Sequence, residues 1–290
     1  MTGLSTHDTK RSEDVRARLA VLAEVPDAWS EFVGRFMAAT EIPNRSFSYF
    51  LAQTLVGAGP VARERLHAYA EKAMREAAQE TRWTDVNADY EERVHAAIDR
   101  AYDDAPVRRA WEQIGAIIEG PGWSNALGQK LVQLTAPGIP DVYQGTELWD
   151  DSLVDPDNRR PVDYGARAEL LAGLLAGAGS TPPIDASGAA KLLVTTTALR
   201  LRRERPEIFT AYSPVFATGP ASGHLVAYDR GGCVAVVTRL PVRLATAGGW
   251  ADTALELDGR WTDGLTGRTY EGPIALADLL DTYPVALLTR

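Results

Sequence analysis

The sequence predicts an α+β, multi-domain protein, mostly helical over its first two-thirds and ending in an antiparallel β-sandwich. Two patterns predict this class. Between residues 12 and about 135, apolar residues recur at the three- and four-residue spacing of a buried helix face. From residue 208 onward they alternate with polar residues, and Gly and Pro interrupt the runs, as in a sandwich of about 80 residues. The expected domains cover residues 1–14, 15–135, 136–205 and 206–290.

The composition is that of a soluble protein and argues against several kinds of partner. The chain has 290 residues, a formal net charge of −9, 45% hydrophobic and 24% charged residues, as in an ordinary soluble globular protein. The acidic balance argues against a nucleic-acid partner, because phosphate binding needs a basic surface. Cys233 is the only cysteine and the four histidines are scattered, so we expect no disulfide, metal site or cofactor. The absence of an apolar run of about 18 residues, and of a signal-peptide core, predicts a cytoplasmic protein without membrane contact.

The first helix is expected to begin at Ser12, with acidic residues in its first turn where the helix dipole favours them. Pro26 is expected to end it and Asp27 to cap the next helix, whose buried face would carry Trp29, Phe32, Val33 and Phe36. Further helices are expected over residues 47–57, 61–80, 90–102, 107–118 and 125–134, with a Gly-Pro-Gly break at 120–122 before the last of them.

After these helices the helical spacing of apolar residues stops. Residues 136–145, "APGIPDVYQG", predict a short strand bounded by Pro and Gly, followed by an acidic loop. Helices are then expected over residues 165–175 and 189–205, separated by a linker rich in Gly, Ser and Pro. His67 and His95 lie within predicted helices and are most simply surface residues, whereas Cys233 lies on an alternating strand and is expected in the core.

The stretch "VDPDNRRPVDY", residues 154–164, holds Asp155 and Arg159 four positions apart. It does not fit a calcium loop, because arginines stand where that loop needs an oxygen ligand and a glycine. A carboxylate beside a guanidinium suits the vicinal hydroxyls of a sugar, which both donate and accept hydrogen bonds. The alternative is a turn locked by its own salt bridge, and these residues alone leave both interpretations open.

Two further stretches follow short apolar segments. The strand at residues 136–145 leads into a loop containing Trp149, which is typical of a barrel strand feeding a site, although a turn-rich connector explains it equally well. His7 and Asp8 follow "GLS" near the beginning of the sequence. A neutral His can bind a sugar hydroxyl, and an ionised Asp can stabilise positive charge at an anomeric carbon. A charged helix start is the alternative, but it leaves His7, Asp8 and Lys10 unexplained.

Three stretches carry a resemblance to a known family: "STHDTKRSEDVRARL", "APGIPDVYQGTELWDDSLVDPDNRRPVDY" and "LRLRRERPEIF". "FLAQTLVGAGP", "YAEKAMREAAQETRW", "NADYEERV" and "LADLLDTYPVALL" also fit it. On these residues the chain resembles the C-terminal part of the maltooligosyl trehalose synthase family, within the α-amylase clan of (β/α)8 barrels, glycoside hydrolase family 13. The resemblance implies that residues 1–14 end barrel strand seven, that residues 136–145 form strand eight, and that the helices between them are an insertion.

The resemblance also implies a chemistry. Such enzymes convert the reducing-end α-1,4 linkage of a maltooligosaccharide into an α,α-1,1 linkage by intramolecular transfer, through a covalent glycosyl-enzyme. Asp8 would steady the oxocarbenium-like transition state beside His7, and Lys10 would hold the released glucose while it turns. The substrate-binding residues implied in addition are Asp155, Arg159, Gln144 and Trp149, of which Trp149 is as well explained by packing.

The chain departs from the family in one large respect. The family's nucleophile and general acid lie on barrel strands four and five, upstream of the position of His7. We therefore expect the chain to be inactive alone and to need the missing N-terminal half of the barrel as a partner. Two alternatives remain open: a hydrolase or glucanotransferase of the same clan, and a non-enzymatic maltodextrin-binding or structural module.

Overall fold

The computed structural model describes residues 1–177 and 181–290. These residues divide into two compact units, which we call the helical unit and the sheet unit. The helical unit comprises residues 7–120 and 151–160, and the sheet unit comprises residues 1–6, 121–150 and 161–290. Residues 178–180, in the predicted Gly/Ser/Pro-rich linker, lie outside the described residues. None of the described helices is long and apolar enough to cross a membrane.

The helices of the helical unit follow the predicted periodicity closely. They are α1 (Glu13–Val21), α2 (Pro26–Thr40), α3 (Arg45–Gly57), α4 (Arg63–Ala77), α5 (Ala88–Asp103) and the first half of α6 (Ala105–Thr135). The predicted cap at Asp27 is wrong: Pro26 itself opens α2, because its fixed φ suits a first helical turn that needs no N–H donor. Asn44 and Asn87 cap α3 and α5, each accepting a hydrogen bond from a backbone N–H three residues later.

The predicted break at residues 120–122 is also wrong, since α6 runs through Pro121 as one helix. A proline inside a helix removes one backbone hydrogen bond and costs about 3 kcal/mol. Buried apolar side chains on both sides of it, Ile114 and Ile118 before and Leu127 and Leu131 after, offset that cost. Packing therefore overrides the local signal of the Gly-Pro-Gly sequence.

Aromatic side chains fill much of the core of the helical unit. Trp29, Phe32 and Phe36 of α2 are buried as predicted, whereas Val33 of the same predicted face is only half-buried. The Phe32 ring centroid lies 5.7 Å from that of Trp29 and 5.9 Å from that of Phe36. Phe50 of α3 stacks on Tyr69 of α4, with centroids 5.8 Å apart. The stack fixes α4 against α3 and so fixes the polar face that α4 presents to the candidate site.

The sheet unit contains two separate sheets. The smaller one pairs β1 (Thr2–Gly3) in parallel with β2 (Pro140–Asp141), in the register Thr2 to Pro140. The strand predicted over residues 136–145 is thus reduced to two residues. Two helices follow β2, α7 (Tyr164–Ala176) and α8 (Ala189–Glu204), close to the predicted bounds.

The predicted β-sandwich is observed as one curled antiparallel sheet of seven strands. Its strands are β3 (Ser213–Val215), β4 (Ala217–Thr218), β5 (Leu225–Asp229), β6 (Cys233–Thr238), β7 (Ala254–Asp263), β8 (Thr269–Ala275) and β9 (Val285–Thr289). The order across it is β3-β5-β6-β9-β7-β4, with β8 also paired to β7. Two short helices, α9 (Pro241–Thr246) and α10 (Leu276–Leu279), connect strands of this sheet.

Strand β6 is buried on both faces, which gives the sheet unit two apolar cores. Cys233, Ala235 and Val237 face a cluster that includes side chains of α6 and α8. Val234 and Val236 face a second cluster formed largely by side chains of β7 to β9 and α10. A strand covered on both sides needs continuous apolar sequence, as "CVAVV" provides. The prediction that Cys233 lies in the core is confirmed.

Candidate functional site

Two segments of the helical unit, residues 7–12 and 151–160, hold most of the predicted site residues. Arg11 and Leu153 form an antiparallel bridge between them, and the Ser12 N–H donates to the Ser152 carbonyl at 2.9 Å. The side-chain amide of Asn158 donates to the His7 carbonyl at 2.7 Å. These hydrogen bonds make neighbours of the segments 7–12 and 151–160, which lie far apart in the sequence.

Asp8 and Lys10 form an ion pair at the exposed end of the first segment. The Lys10 ammonium lies 3.1 Å from Asp8 Oδ1 and 3.6 Å from Glu76 Oε2 of α4. The hydrogen bond and the charge of Lys10 lower the pKa of the Asp8 carboxyl, and the hydrogen bond to Asp8 raises the pKa of Lys10. Both side chains are exposed, so water screens the attraction. Lys10 thus favours the ionised form of Asp8, the state that stabilises a developing positive charge.

Asp155 and Arg159 pair within the second segment, with Arg159 Nε 2.8 Å from Asp155 Oδ1. A turn of 3-10 helix over Asp157–Arg159 brings the two side chains together. Exposed fractions of 35% for Asp155 and 54% for Arg159 leave the polar pair within reach of a ligand. The same ion pair is what the alternative of a self-locked turn requires, so the contact agrees with both interpretations.

Helix α4 anchors the second segment through a side-chain pair. Arg65 holds Asp157 at two points, Nε to Oδ1 at 2.9 Å and Nη2 to Oδ2 at 2.7 Å. Burial by itself would raise the pKa of Asp157, but the hydrogen bonds from Arg65 and from the Leu153 N–H outweigh it, and the pKa is lowered. The Lys72 ammonium donates to the Asp155 carbonyl at 2.6 Å. Side chains of α4 therefore hold the loop that carries Asp155 and Arg159.

A cavity of about 330 Å³ lies between α4 and this loop. Its polar lining includes Arg65, Tyr69 and Lys72 from the helix, and Asp155, Asp157 and Arg160 from the loop. Burial raises the pKa of Tyr69, and the nearby Arg11 only partly opposes that effect. Charged side chains from the helix and the loop thus line the cavity together with Ala68, Val154 and Pro156.

Sequence reasoning missed the contribution of α4 to the site. Arg65, Lys72 and Glu76 stand at i, i+7 and i+11, which places them on one helix face. That spacing is readable from the sequence, but it does not tell which segment the face meets. Only the tertiary contacts with Asp157 and Asp155 reveal it.

Gln144 and Trp149 belong to the sheet unit. Gln144 is exposed in the loop that follows β2. Trp149 stacks on Trp123, with centroids 5.9 Å apart and planes 11° from parallel, and its Nε1–H donates to the Asp185 carbonyl at 2.7 Å. The Lys191 ammonium lies 5.7 Å from its ring centroid. These contacts favour a packing role for Trp149, and sugar binding by either residue stays a prediction.

His67 and His95 are not the independent surface residues that the sequence suggested. Their Nδ1 atoms lie 2.8 Å apart, and His67 Nε2 lies 3.0 Å from Asp99 Oδ1. Burial, followed by the charge of His67, lowers the pKa of His95. Across residues 1–177 and 181–290, no three His, Cys, Asp or Glu side chains are placed to hold a metal ion together.

The comparisons with known proteins agree with one another. No protein-family model matches the chain. A curated relative from Mycobacterium tuberculosis, provisionally named a maltooligosyl trehalose synthase, is 48% identical over 301 residues, covering 100% of this chain. The solved maltooligosyltrehalose synthase of Arthrobacter ramosus is 50% identical and covers 100% of this chain, with a TM-score of 0.96. The chain matches the C-terminal part of maltooligosyl trehalose synthases along its whole length.

The match to maltooligosyl trehalose synthases extends to distant members. A hypothetical maltooligosyl trehalose synthase from Sulfolobus tokodaii is 29% identical over 99% of this chain, with a TM-score of 0.77. The chain spans 37% of the length of the curated relatives and 38% of that of these solved structures. The resemblance that the sequence motifs predicted is confirmed.

Proposed function

We propose that the chain is the C-terminal part of a maltooligosyl trehalose synthase. The complete enzyme would convert the reducing-end α-1,4 linkage of a maltooligosaccharide into an α,α-1,1 linkage by intramolecular transfer. The match along the whole of this chain, which spans 37% of the length of the curated relatives, supports this proposal. The observation that carries it is the contact between Asn158 and the His7 carbonyl, because it makes neighbours of the segments bearing Asp8 and the Asp155–Arg159 pair.

The parallel pair of β1 and β2 supports a place in a larger barrel. Parallel strands rarely form sheets of two alone, since their outer edges leave backbone groups unpaired. We assign β1 to barrel strand seven, β2 to strand eight, and the helices between them to an insertion. The part of the relatives that this chain does not span would supply the other strands.

Each site residue has a role that its geometry allows. Asp8, whose pKa Lys10 lowers, steadies positive charge at the anomeric carbon. Lys10 presents an ammonium with three donors, suited to holding the glucose that turns within the site. His7 offers a hydrogen bond to a sugar hydroxyl. Asp155 accepts and Arg159 donates, so together they match a pair of vicinal hydroxyls.

The remaining parts of the reaction lie elsewhere. Retaining transfer needs a carboxylate nucleophile and a general acid. We place both in the N-terminal part of the enzyme, which the chain does not span. Sugar binding by Gln144 and Trp149, which belong to the sheet unit, remains a separate prediction.

A chimeric enzyme tests the proposal. Residues 1–290 replace the matching 38% of the Arthrobacter ramosus enzyme, and the product formed from maltopentaose is analysed. We expect reducing ends to disappear without release of glucose, because the linkage is rearranged and not hydrolysed. Free glucose as the main product would favour a hydrolase of the same clan. A well-folded chimera with no turnover would favour the non-catalytic module.

A further inference from the structure

We infer that Lys72 and Glu76, one turn apart on α4, are positioning residues that hold the Asp155–Arg159 pair and Lys10 in place for a sugar. This inference rests on the proposed function for its significance. The contacts that support it are present in the structure without any sugar. Neither residue is expected to touch the reacting atoms, so each acts through another side chain.

Lys72 fixes the backbone of residue 155. Its ammonium donates to the Asp155 carbonyl at 2.6 Å, and its side chain is only 24% exposed. The carboxylate of the same residue lies 2.8 Å from Arg159 Nε. Since a charged donor makes a stronger hydrogen bond than a neutral one, the carbonyl contact limits where the Asp155 carboxylate can point. The ion pair with the Asp155 carboxylate in turn orients the Arg159 side chain.

Glu76 fixes the end of Lys10. Its Oε2 lies 3.6 Å from the Lys10 ammonium, and its Oε1 lies 3.8 Å from the Lys72 ammonium. A lysine side chain loses up to about 2 kcal/mol of conformational entropy when it is ordered. Lys10 has Asp8 as one partner, and Glu76 gives it a second, on a separate element. One carboxylate therefore joins both halves of the proposed site.

Helix α4 is rigid enough to serve as the support. The Arg65–Asp157 pair pins the helix to the loop two turns before Lys72. Leu66, Tyr69 and Ala70 are buried on its inner face. Functional side chains are held more firmly when a packed helix supports them than when a loop does. Arg65 thus fixes the helix to the loop, whereas Lys72 and Glu76 orient the side chains of the proposed site.

Nuclear magnetic resonance of the full chain tests the inference without requiring activity. The chain has four lysines, so their side-chain signals are readily assigned. Lys72→Met keeps the apolar stem and removes the ammonium. We expect the Arg159 Nε–H signal to lose its heteronuclear NOE and the amide signals of residues 155–159 to broaden. Lys72→Arg, which retains a donor, should preserve both. Unchanged Arg159 signals in Lys72→Met would overturn the positioning role of Lys72.

Glu76→Gln provides a second test that disturbs no buried side chain. Loss of the carboxylate should lower the pKa of Lys10, measured from its Cε signal. Glu64→Gln, an exposed change on the same helix, is the matched control and should leave that titration unchanged. A Lys10 titration unaffected by Glu76→Gln would contradict the role of Glu76. This variant also keeps the inference testable if Lys72→Met fails to fold.

A sugar titration separates the inference from the proposed function. Maltopentaose at millimolar concentration should shift the Arg159 Nε–H signal of the wild-type chain, and Lys72→Met should bind about tenfold more weakly. Equal affinity in the two proteins would contradict the inference. A wild-type signal that ignores maltopentaose would count against the proposed function, while the sugar-free spectra still decide the positioning roles.

Discussion

The side chain of Asn158 donates a hydrogen bond to the backbone carbonyl of His7, at 2.7 Å and across 151 positions of sequence. Asn158 is buried, and the residue that follows it is Arg159, while the residue that follows His7 is Asp8. Asp8 and Arg159, two of the predicted site residues, are thus each one residue away from the same hydrogen bond. This relationship gives the sugar-binding proposal a geometric basis.

Asn158→Ala should lower the free energy of unfolding by about 0.5–1.5 kcal/mol, because the hydrogen bond to the His7 carbonyl is lost. Asn158→Asp should cost more, since it removes the donor and brings a negative charge near that carbonyl. Urea unfolding of the three proteins measures the differences. Variants as stable as the wild type would show that the contact does not join the two segments.

The Arg65–Asp157 pair predicts a dependence of stability on pH. The pKa of Asp157 in the folded chain lies below its ordinary value of 3.8, so the carboxylate stabilises the fold above that pH. The contribution is lost as the pH falls through the lowered value. Asp157→Asn should cost about 2 kcal/mol at pH 7, allowing for partial exposure, and the gap to the wild type should close on acidification. Urea unfolding at pH 7 and over a series of pH values well below 3.8 compares the two proteins; a gap that does not vary with pH would contradict the prediction.

The lowered pKa of His95 predicts a second dependence of stability on pH, in a higher pH range than that of Asp157. Its pKa lies below the ordinary 6.5, because burial and then the charge of His67 outweigh the attraction of Glu71, Glu91 and Asp99. Neutral His95 thus stabilises the fold above pH 6.5, and this stability is lost as the pH falls through that value and below it. The melting temperature of the wild type should fall by about 2 °C more than that of His95→Gln between pH 7.5 and 5.5. His224→Gln, in the sheet unit, is the control; equal slopes in all three proteins would refute the effect.

Pro121 lies inside α6, where it removes a backbone hydrogen bond. Pro121→Ala should therefore raise the free energy of unfolding by about 1–3 kcal/mol, because alanine restores that bond without adding bulk. Ala126→Gly, at a buried position of the same helix, should lower the free energy of unfolding by about 1 kcal/mol. Thermal unfolding measures both changes. A destabilised Pro121→Ala would indicate that the helix needs the proline at this position.

Much of the fold could be predicted from spacing alone. The stripe of Trp29, Phe32 and Phe36 identified α2, and the apolar run around Cys233 identified a core strand, because both patterns are local consequences of burial. The errors arose where packing opposed a local signal, as at Pro121. Alternation predicts a sandwich where the structure has one curled sheet, because alternation reports a strand's two faces and not the sheet to which the strand belongs.

The candidate site was predictable only in part. Motifs proposed Asp8, Asp155 and Arg159 from residue type and separation, and the structure makes neighbours of the segments that carry them. The proposed roles of Lys72 and Glu76 depend on which segment packs against α4. That tertiary contact cannot be read from a single amino-acid sequence. The pairing of His67 with His95 was missed for the same reason, because it joins α4 to α5.

The most direct test of the account compares wild-type and Asp8→Asn chimeras for conversion of maltopentaose into a non-reducing product. Asp8 is exposed, so the substitution should leave the melting temperature unchanged. Because an amide cannot stabilise positive charge at the anomeric carbon as a carboxylate does, kcat should fall by at least about 100-fold. An Asp8→Asn chimera that retains activity within a few-fold of the wild type would contradict the central claim.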